Sequence, residues 1–356
     1  MRQIAEAVGV STCLVSKVLS GRLGKNGARE STIRAIEQKA RELNYRRNEL
    51  AVAFRTGRQN VLAVFVHRHG ESGSGIVDQM VVGIAEEAQR HHQRLLLQYY
   101  FTPEEFRSSL AELHPNTLDG LIVGGISDPD LEADLRAWQQ AGRPLITIQD
   151  TPIHPRMPNV GMEPPEIGRL ATAHLITQGC RKIAYLRTRL PLTRPPEWRY
   201  GGYRRALAEA GLPYDPQLVV EAERFNCAAG RKATQALLER RIPFDGLVGE
   251  SDQHAAAALN LLVAAGRRVP GEVKIIGVDD SPICLSAQVP LSSISQEWRV
   301  RGREGVRLLL TQVAGQEAKS VEITPVVKAR GSTGVTAVAL DEQTGAVACC
   351  RASRNR

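Results

Sequence analysis

Catalytic or metal chemistry in this chain would have to be built from a small set of residues: six cysteines, two histidine pairs and one glycine cluster. The cysteines, Cys13, Cys180, Cys227, Cys284, Cys349 and Cys350, are scattered. They show neither the C-x-x-C spacing that chelates zinc nor the repeated spacing of a disulfide framework, so a reducing cytosol is the expected home. His67 with His69, and His91 with His92, have no matching third ligand and read as surface histidines. Gly70, Gly73 and Gly75 follow an apolar run but do not make G-x-G-x-x-G, and the next run ends in Gln98-Tyr99-Tyr100 without the acidic ribose ligand. There is no G-x-S-x-G elbow, Walker loop or H-E-x-x-H. The sequence therefore predicts no catalytic residue, no metal, no cofactor and no enzyme.

What the sequence does concentrate is positive charge. The chain carries 46 Lys and Arg against 38 Asp and Glu, a net charge of +8. Residues 1–60 hold 12 against 5, or +7, which leaves 34 against 33, or +1, for residues 61–356. A compact basic segment is the footprint of a protein that neutralises phosphates and releases counterions. A solvated basic arm with no partner is the plainer alternative.

These groups need a scaffold, and 356 residues with 42% hydrophobic and 24% charged composition predict more than one soluble globular domain. The N-terminus lacks the apolar stretch of a secretory signal, and nowhere do ~18 apolar residues run together. Neither export nor membrane insertion is expected.

Along the chain, Ile4, Ala5, Val8, Val15, Val18 and Leu19 make helical spacings on either side of Gly9-Val10-Ser11. The spacing predicts two short helices meeting at a turn that glycine permits, with Ser11 capping the second helix, Thr12–Ser20. A third helix, about Ser31–Leu43, follows the loop Gly21–Gly27. Asn48 and Gly57 can bound a two-turn helix too short to hold alone in water, read as a hinge. From Val61 short apolar runs alternate with amphipathic helices, the pattern of parallel sheets covered on both faces. The runs Val61–Val66, Leu95–Tyr99, Gly120–Val123 and Leu145–Ile148 make a first half. The runs Lys182–Leu186, Leu218–Glu221, Gly246–Gly249 and Val273–Val278 make a second, so two sheets of similar size are expected, with a cleft between two lobes. The expected domains are residues 1–45 (helix-turn-helix), 46–60 (hinge), 61–334 (two-lobed α/β) and 335–356 (a tail of unreadable role).

The order Ile4-Ala5-Glu6-Ala7-Val8-Gly9-Val10-Ser11, then Val15-Ser16-Lys17-Val18-Leu19-Ser20-Gly21, resembles the helix-turn-helix of the lactose/galactose repressor (LacI/GalR) family. Glu42-Leu43-Asn44-Tyr45 and the Asn48, Ala51, Phe54 spacing follow the same pattern. So do Ala173-His174-Leu175-Ile176 with Gly179 and Ile183, Arg199 with Gly202-Tyr203, Val269-Pro270, Gly277-Val278-Asp279-Asp280 and Arg330-Gly331-Ser332-Thr333. The resemblance covers roughly residues 2–333. There are departures: the chain begins inside what corresponds to the family's first helix, the Gly21–Gly27 loop is longer, Arg29 stands at the cap of helix three, Arg47 replaces a proline and Phe54 the hinge leucine.

The resemblance implies a small all-α helix-turn-helix domain joined to an α/β domain like the two-lobed periplasmic binding proteins, with two doubly wound parallel sheets. It implies a repressor that binds a palindromic double-stranded DNA operator as a homodimer or higher oligomer, in the bacterial cytoplasm on the nucleoid. Thr12, Cys13 and Lys17 would face base edges and Ser11 and Ser16 phosphates. Tyr45, Arg47, Asn48, Ala51 and Phe54 would serve DNA binding from the hinge side. Cys13 can equally be read as a small exposed residue with no role, and Phe54 either wedges into the minor groove or packs within the dimer. In the large domain, Arg199, Phe225, Ser251, Asp279, Gln296 and Trp298 match the family's ligand positions, with Gln149 or Asp150 weaker candidates. Arg, Asp and Gln suit hydroxyls and an aromatic face suits a sugar or base, so the effector is sugar-like or nucleoside-like; Phe225 and Trp298 can also be read as core aromatics. The alternative function is a solute-binding protein whose N-terminal region no longer binds DNA specifically.

Overall fold

A computed structural model describes residues 1–19, 23, 27–45, 58–67, 75–114, 117–125, 128–188 and 198–335. The chain divides into two compact units, residues 1–59 and the remainder from Asn60. The expected hinge helix and the C-terminal tail lie outside the described residues, as do His69, Gly70 and Gly73.

In the first unit, α1 (Arg2–Val8) stops where Gly9 takes a φ of 72° and returns its N–H to the Ala5 carbonyl. This left-handed conformation is one that glycine reaches without a Cβ penalty. Ser11 caps α2 (Thr12–Leu19), its Oγ accepting from the Leu14 N–H at 3.2 Å. Helix α3 (Glu30–Glu42) has no side-chain cap from Arg29. Glu30 in its first turn supplies a negative charge at the positive helix end instead. Ile4, Val15 and Ile36 are fully buried where the three helices meet, with Ala5, Val18 and Ala40 around them.

In the second unit, β1 (Val61–His67), α4 (Ile76–Arg90), β2 (Arg94–Tyr100), α5 (Pro103–Glu112), β3 (Gly120–Gly124), α6 (Glu132–Gln140) and β4 (Leu145–Ile148) alternate as expected. They form a parallel four-stranded sheet of order β2-β1-β3-β4. After the short β5 (Val160–Gly161), the chain continues through α7 (Pro164–Thr177), β6 (Ile183–Thr188), α8 (Trp198–Glu209), β7 (Val219–Ala222), α9 (Cys227–Glu239), β8 (Gly246–Gly249), α10 (Asp252–Ala264) and β9 (Lys274–Val278).

The region beyond Val278 departs from equal halves. A short α11 (Ile283–Ser286) precedes β10 (Ser292–Ser295), which extends the second sheet. Helix α12 (Trp298–Val313) then returns to pack on α4 and on β4 of the first lobe. Strand β11 (Val321–Glu322) pairs with β5, and β12 (Val326–Lys328) adds antiparallel to β10. The second sheet thus has six strands, β12-β10-β9-β8-β6-β7, against four in the first.

Each lobe is held by one close helix crossing made by glycine. An added Cβ on Gly83 of α4 would sit 2.0 Å from the Arg299 carbonyl, and one on Gly302 of α12 would sit 2.3 Å from the Met80 carbonyl. Gly168 of α7 and Gly202 of α8 meet Arg199 and Pro165 carbonyls at 1.8 Å in the same way. Backbone cannot yield as a flexible side chain can. Gly302→Ala is therefore expected to destabilise the folded protein by about 1–3 kcal/mol through overpacking. Urea melts should show the loss, and an unchanged midpoint would mean that α4 and α12 can separate at little cost.

Candidate nucleic-acid interface and ligand cleft

The first unit presents one helix suited to reading a groove. On α2, Val15 and Val18 are buried in the three-helix core, while Ser11, Thr12, Cys13 and Lys17 are exposed and Ser16 half-exposed. The alternation is that of a helix with 3.6 residues per turn and one wet face. Tyr45 is half-buried against the same small core, its N–H bonded to the Ala40 carbonyl at 2.8 Å. Arg47, Asn48, Ala51 and Phe54 lie outside the described residues.

In the second unit, the six candidate ligand residues all fall after carboxyl ends of strands in the second sheet, where such sheets place ligands. Arg199 follows β6 in the first turn of α8, Phe225 precedes α9, Ser251 caps α10, Asp279 follows β9, and Gln296 and Trp298 follow β10. They lie as a wall along that end of the sheet, each tied to a neighbour by a local contact. The Gln296 amide donates to Asp279 Oδ1. Arg199 Nη1 donates to the Glu250 carbonyl at 2.7 Å, next to Ser251, whose Oγ accepts from His254 N–H at 3.3 Å. The Phe225 and His254 rings stack with centroids 5.9 Å apart. Trp298 lies under the guanidinium of Arg301, 3.8 Å from its ring centre.

Burial sets the protonation here. Burial pushes the Asp279 carboxyl up to about 8, against the pull of Arg199, and the Asp252 and Asp150 carboxylates add to the rise. Asp252 is raised to about 6 by burial, opposed by donors from Ser281, Ser293 and Cys284. Burial holds His254 down at about 4, so its ring is neutral at pH 7. Its Nε2 lies 2.7 Å from the Arg224 carbonyl and must therefore carry the proton, which leaves Nδ1 an acceptor. Arg199 Nε, Gln296 Oε1 and Trp298 Nε1 are buried without a hydrogen-bond partner among the described residues. One acceptor among two donors is a set that can engage a polar ligand from several directions.

Residues 172–333 match the periplasmic binding protein-like domain family. The chain is 30% identical over 336 residues, 91% of its length and 94% of the relative's, to the HTH-type transcriptional regulator CelR of Thermobifida fusca. It belongs to the LacI/GalR family of transcriptional regulators. The structure of a transcriptional regulator CelR-cellobiose complex aligns with a TM-score of 0.64 at 27% identity, over 92% of this chain and 98% of that one. A Lac repressor dimer bound to operator and the anti-inducer ONPF aligns with a TM-score of 0.70 over 93% and 97% of the two chains; at 20% identity it speaks for the fold alone. No described helix is long and apolar enough to cross a membrane.

Set beside this LacI-family frame, the sequence reading missed the groups that support the wall. Asp252 Oδ2 accepts from Ser281 N–H and Oγ at 2.7 and 2.9 Å, and Oδ1 accepts from Ser293 Oγ at 2.6 Å. Glu250 accepts from the Tyr185 hydroxyl at 2.9 Å and from the Thr188 N–H. The acidic pair on either side of Ser251, directly after β8, was the available signal. The family motif Arg330-Gly331-Ser332-Thr333 is structural: Arg330 pairs with Asp280 at 2.5 Å and Ser332 Oγ donates to the Ile275 carbonyl at 2.6 Å.

Asp279 yields a pH prediction. Its folded pKa lies above the unfolded carboxylate value, so its contribution to stability is fully present below pH ~4 and is lost as pH rises toward 8. Asp279→Asn should flatten the fall in melting temperature between pH 4 and 8. Melts across that range check it, and an equally steep fall in the variant would show that Asp279 is ionised throughout.

Proposed function

We propose that this protein is a repressor that binds a palindromic operator as a homodimer in the bacterial cytoplasm, on the nucleoid, and is controlled by a sugar-like or nucleoside-like effector in the cleft of its large domain. The observation that carries this reading is the wet face of α2, with Thr12, Cys13 and Lys17 exposed opposite buried Val15 and Val18. Lys17 would donate to a guanine edge, and Ser11 and Ser16 would meet phosphates. Family membership and the +7 charge of residues 1–60 support it. A second copy is supported by the exposed large apolar residues Val82 on α4 and Leu96, Leu97 and Tyr99 on the edge strand β2, since exposed apolar surface is what an interface covers.

For the cleft, Arg199, Phe225, Ser251, Asp279, Gln296 and Trp298 would bind the effector rather than transform it. The acids beside them are consumed by internal hydrogen bonds, Asp252 on Ser281 and Ser293 and Glu250 on Tyr185. An effector that binds one lobe arrangement better than another shifts their equilibrium, and that difference in affinity is what DNA binding would sense.

Footprinting on DNA fragments recovered by genome-wide pull-down should show a palindromic site protected at physiological salt. Lys17→Ala should weaken that complex by about 5–150-fold, the range for loss of a base contact. Protection that is sequence-independent and vanishes with salt would instead leave a solute-binding protein without operator recognition. Cellobiose, present in the CelR structure, is the first effector probe; calorimetry should show Arg199→Ala weakening the bound sugar by about 10–150-fold, as for a charged hydrogen-bond donor. Equal affinity in wild type and variant would remove Arg199 from the site.

A further inference from the structure

The chain passes between the lobes three times: from β4 through residues 149–163 to α7, from β10 through Gln296 and Glu297 to α12, and from β11 to β12. Arg301, in the first turn of α12, is fully buried and touches two of these passages. On the first, its Nη1 donates to Asp150 Oδ1 at 3.1 Å and its Nη2 to the Val160 carbonyl at 3.3 Å. On the second, it covers the Trp298 ring. The third is reached through β5, since Val160 and Gly161 pair with Val321 and Glu322. The Asp150 carbonyl in turn accepts from the Met162 N–H at 3.2 Å.

An apolar side chain would fill this place at lower cost. Taking a guanidinium out of water carries a penalty that its ion pair only partly offsets, and buried pairs are frequently no more stable than apolar replacements. What the arginine supplies instead is geometry. Its planar fork can pair a carboxylate and a carbonyl in one plane while its face lies on an aromatic ring. No lysine or methionine does all three.

We propose that Arg301 is a positioning residue that locks Asp150 and Trp298 in a fixed relation and so joins the inter-lobe passages into one rigid joint, setting the lobe arrangement in which the cleft forms. This rests on the cleft being the effector site. Burial lowers the Arg301 pKa from the ordinary guanidinium value, Asp150 opposes that, and the Arg199 charge adds to it. The Asp150 pair is thus what makes the buried charge tolerable beside a second guanidinium.

The test is amide hydrogen exchange on the full-length, effector-free protein, comparing wild type with Arg301→Met, Arg301→Lys, Asp150→Asn and the Met/Asn double variant. The reporters are the Thr147, Met162, Val321 and Ile323 amides, all bonded within the passages. In Arg301→Met and Asp150→Asn these should exchange on the order of tenfold faster while β1 and β8 amides keep their protection, because a local opening is released rather than the global one. Arg301→Lys should recover only part of the protection, and the double variant should exchange no faster than either single one. Unchanged exchange at the passages, or acceleration spread evenly through β1 and β3, would overturn the proposal and make Arg301 an ordinary packing residue of the first lobe. Should Arg301→Met fail to fold, Asp150→Asn, whose side chain keeps 14% exposure, carries the same comparison. Effector binding is not read in this experiment, so a failed effector assignment leaves its outcome distinct.

Discussion

A charge taken out of water costs several kcal/mol unless hydrogen bonds and a counter-charge replace its hydration, and the carboxyl-end face of the second sheet, together with the start of α12 and the passage after β4, buries several charged groups at once. Asp252 is taken up by Ser281 and Ser293, Glu250 by Tyr185 and the Thr188 N–H, and Arg301 by Asp150 and the Val160 carbonyl. These pairings join loops that are distant in sequence, so the wall exists only when β6, β8, β9, β10 and α12 are all in place. Among the buried polar atoms of the described residues then left without a hydrogen-bond partner, those on Arg199, Gln296 and Trp298 belong to the candidate ligand residues, and Arg301 Nε and His254 Nδ1 lie beside them.

That arrangement depends on α12 reaching the first lobe. The helix leaves the second sheet at Gln296 and settles on α4 through the Gly83–Gly302 crossing, where backbone approaches backbone. Around this contact, Glu86 pairs with Arg299 and Arg303, and Glu87 with Arg307. The partly exposed members of these pairs add little stability each. They do fix the rotation of α12, and with it where Trp298 and Arg301 lie. The α7–α8 crossing repeats the same glycine device in the second lobe and sets Arg199. Each lobe thus positions its candidate ligand-side residues from a helix pair whose crossing has no room for an extra methyl.

The N-terminal unit works on a smaller scale. Three short helices bury only a handful of apolar side chains, too few for generous stability. Its construction spends them economically: Gly9 turns the chain, Ser11 starts α2, and Val15 with Val18 holds α2 down so that its other face stays in water. Reading a groove needs that rigidity, because a frayed helix would lose its register on base edges.

Local signals carried most of this in the sequence. Gly9 and Ser11 marked the turn, the period of Ile4, Val8, Val15 and Val18 marked the helices, and alternating apolar runs marked eight of the twelve described strands, β1 to β4 and β6 to β9, to within their close bounds. Where the pattern failed, the failure has a cause. The buried face of α12 is Trp298, Arg301, Gly302, Gly305, Val306 and Leu309, a correct helical spacing filled with an arginine and two glycines, so hydrophobicity does not mark it. Strands β5, β11 and β12 have only two or three residues each, too few for any period. The family match in sequence nominated candidate ligand-side positions one by one. Only the tertiary structure decided that Asp150 and Val160 meet Arg301, that Gln296 meets Asp279, and that the two sheets are unequal, because those pairings are fixed by where α12 and β10 return in space and leave no trace in local spacing.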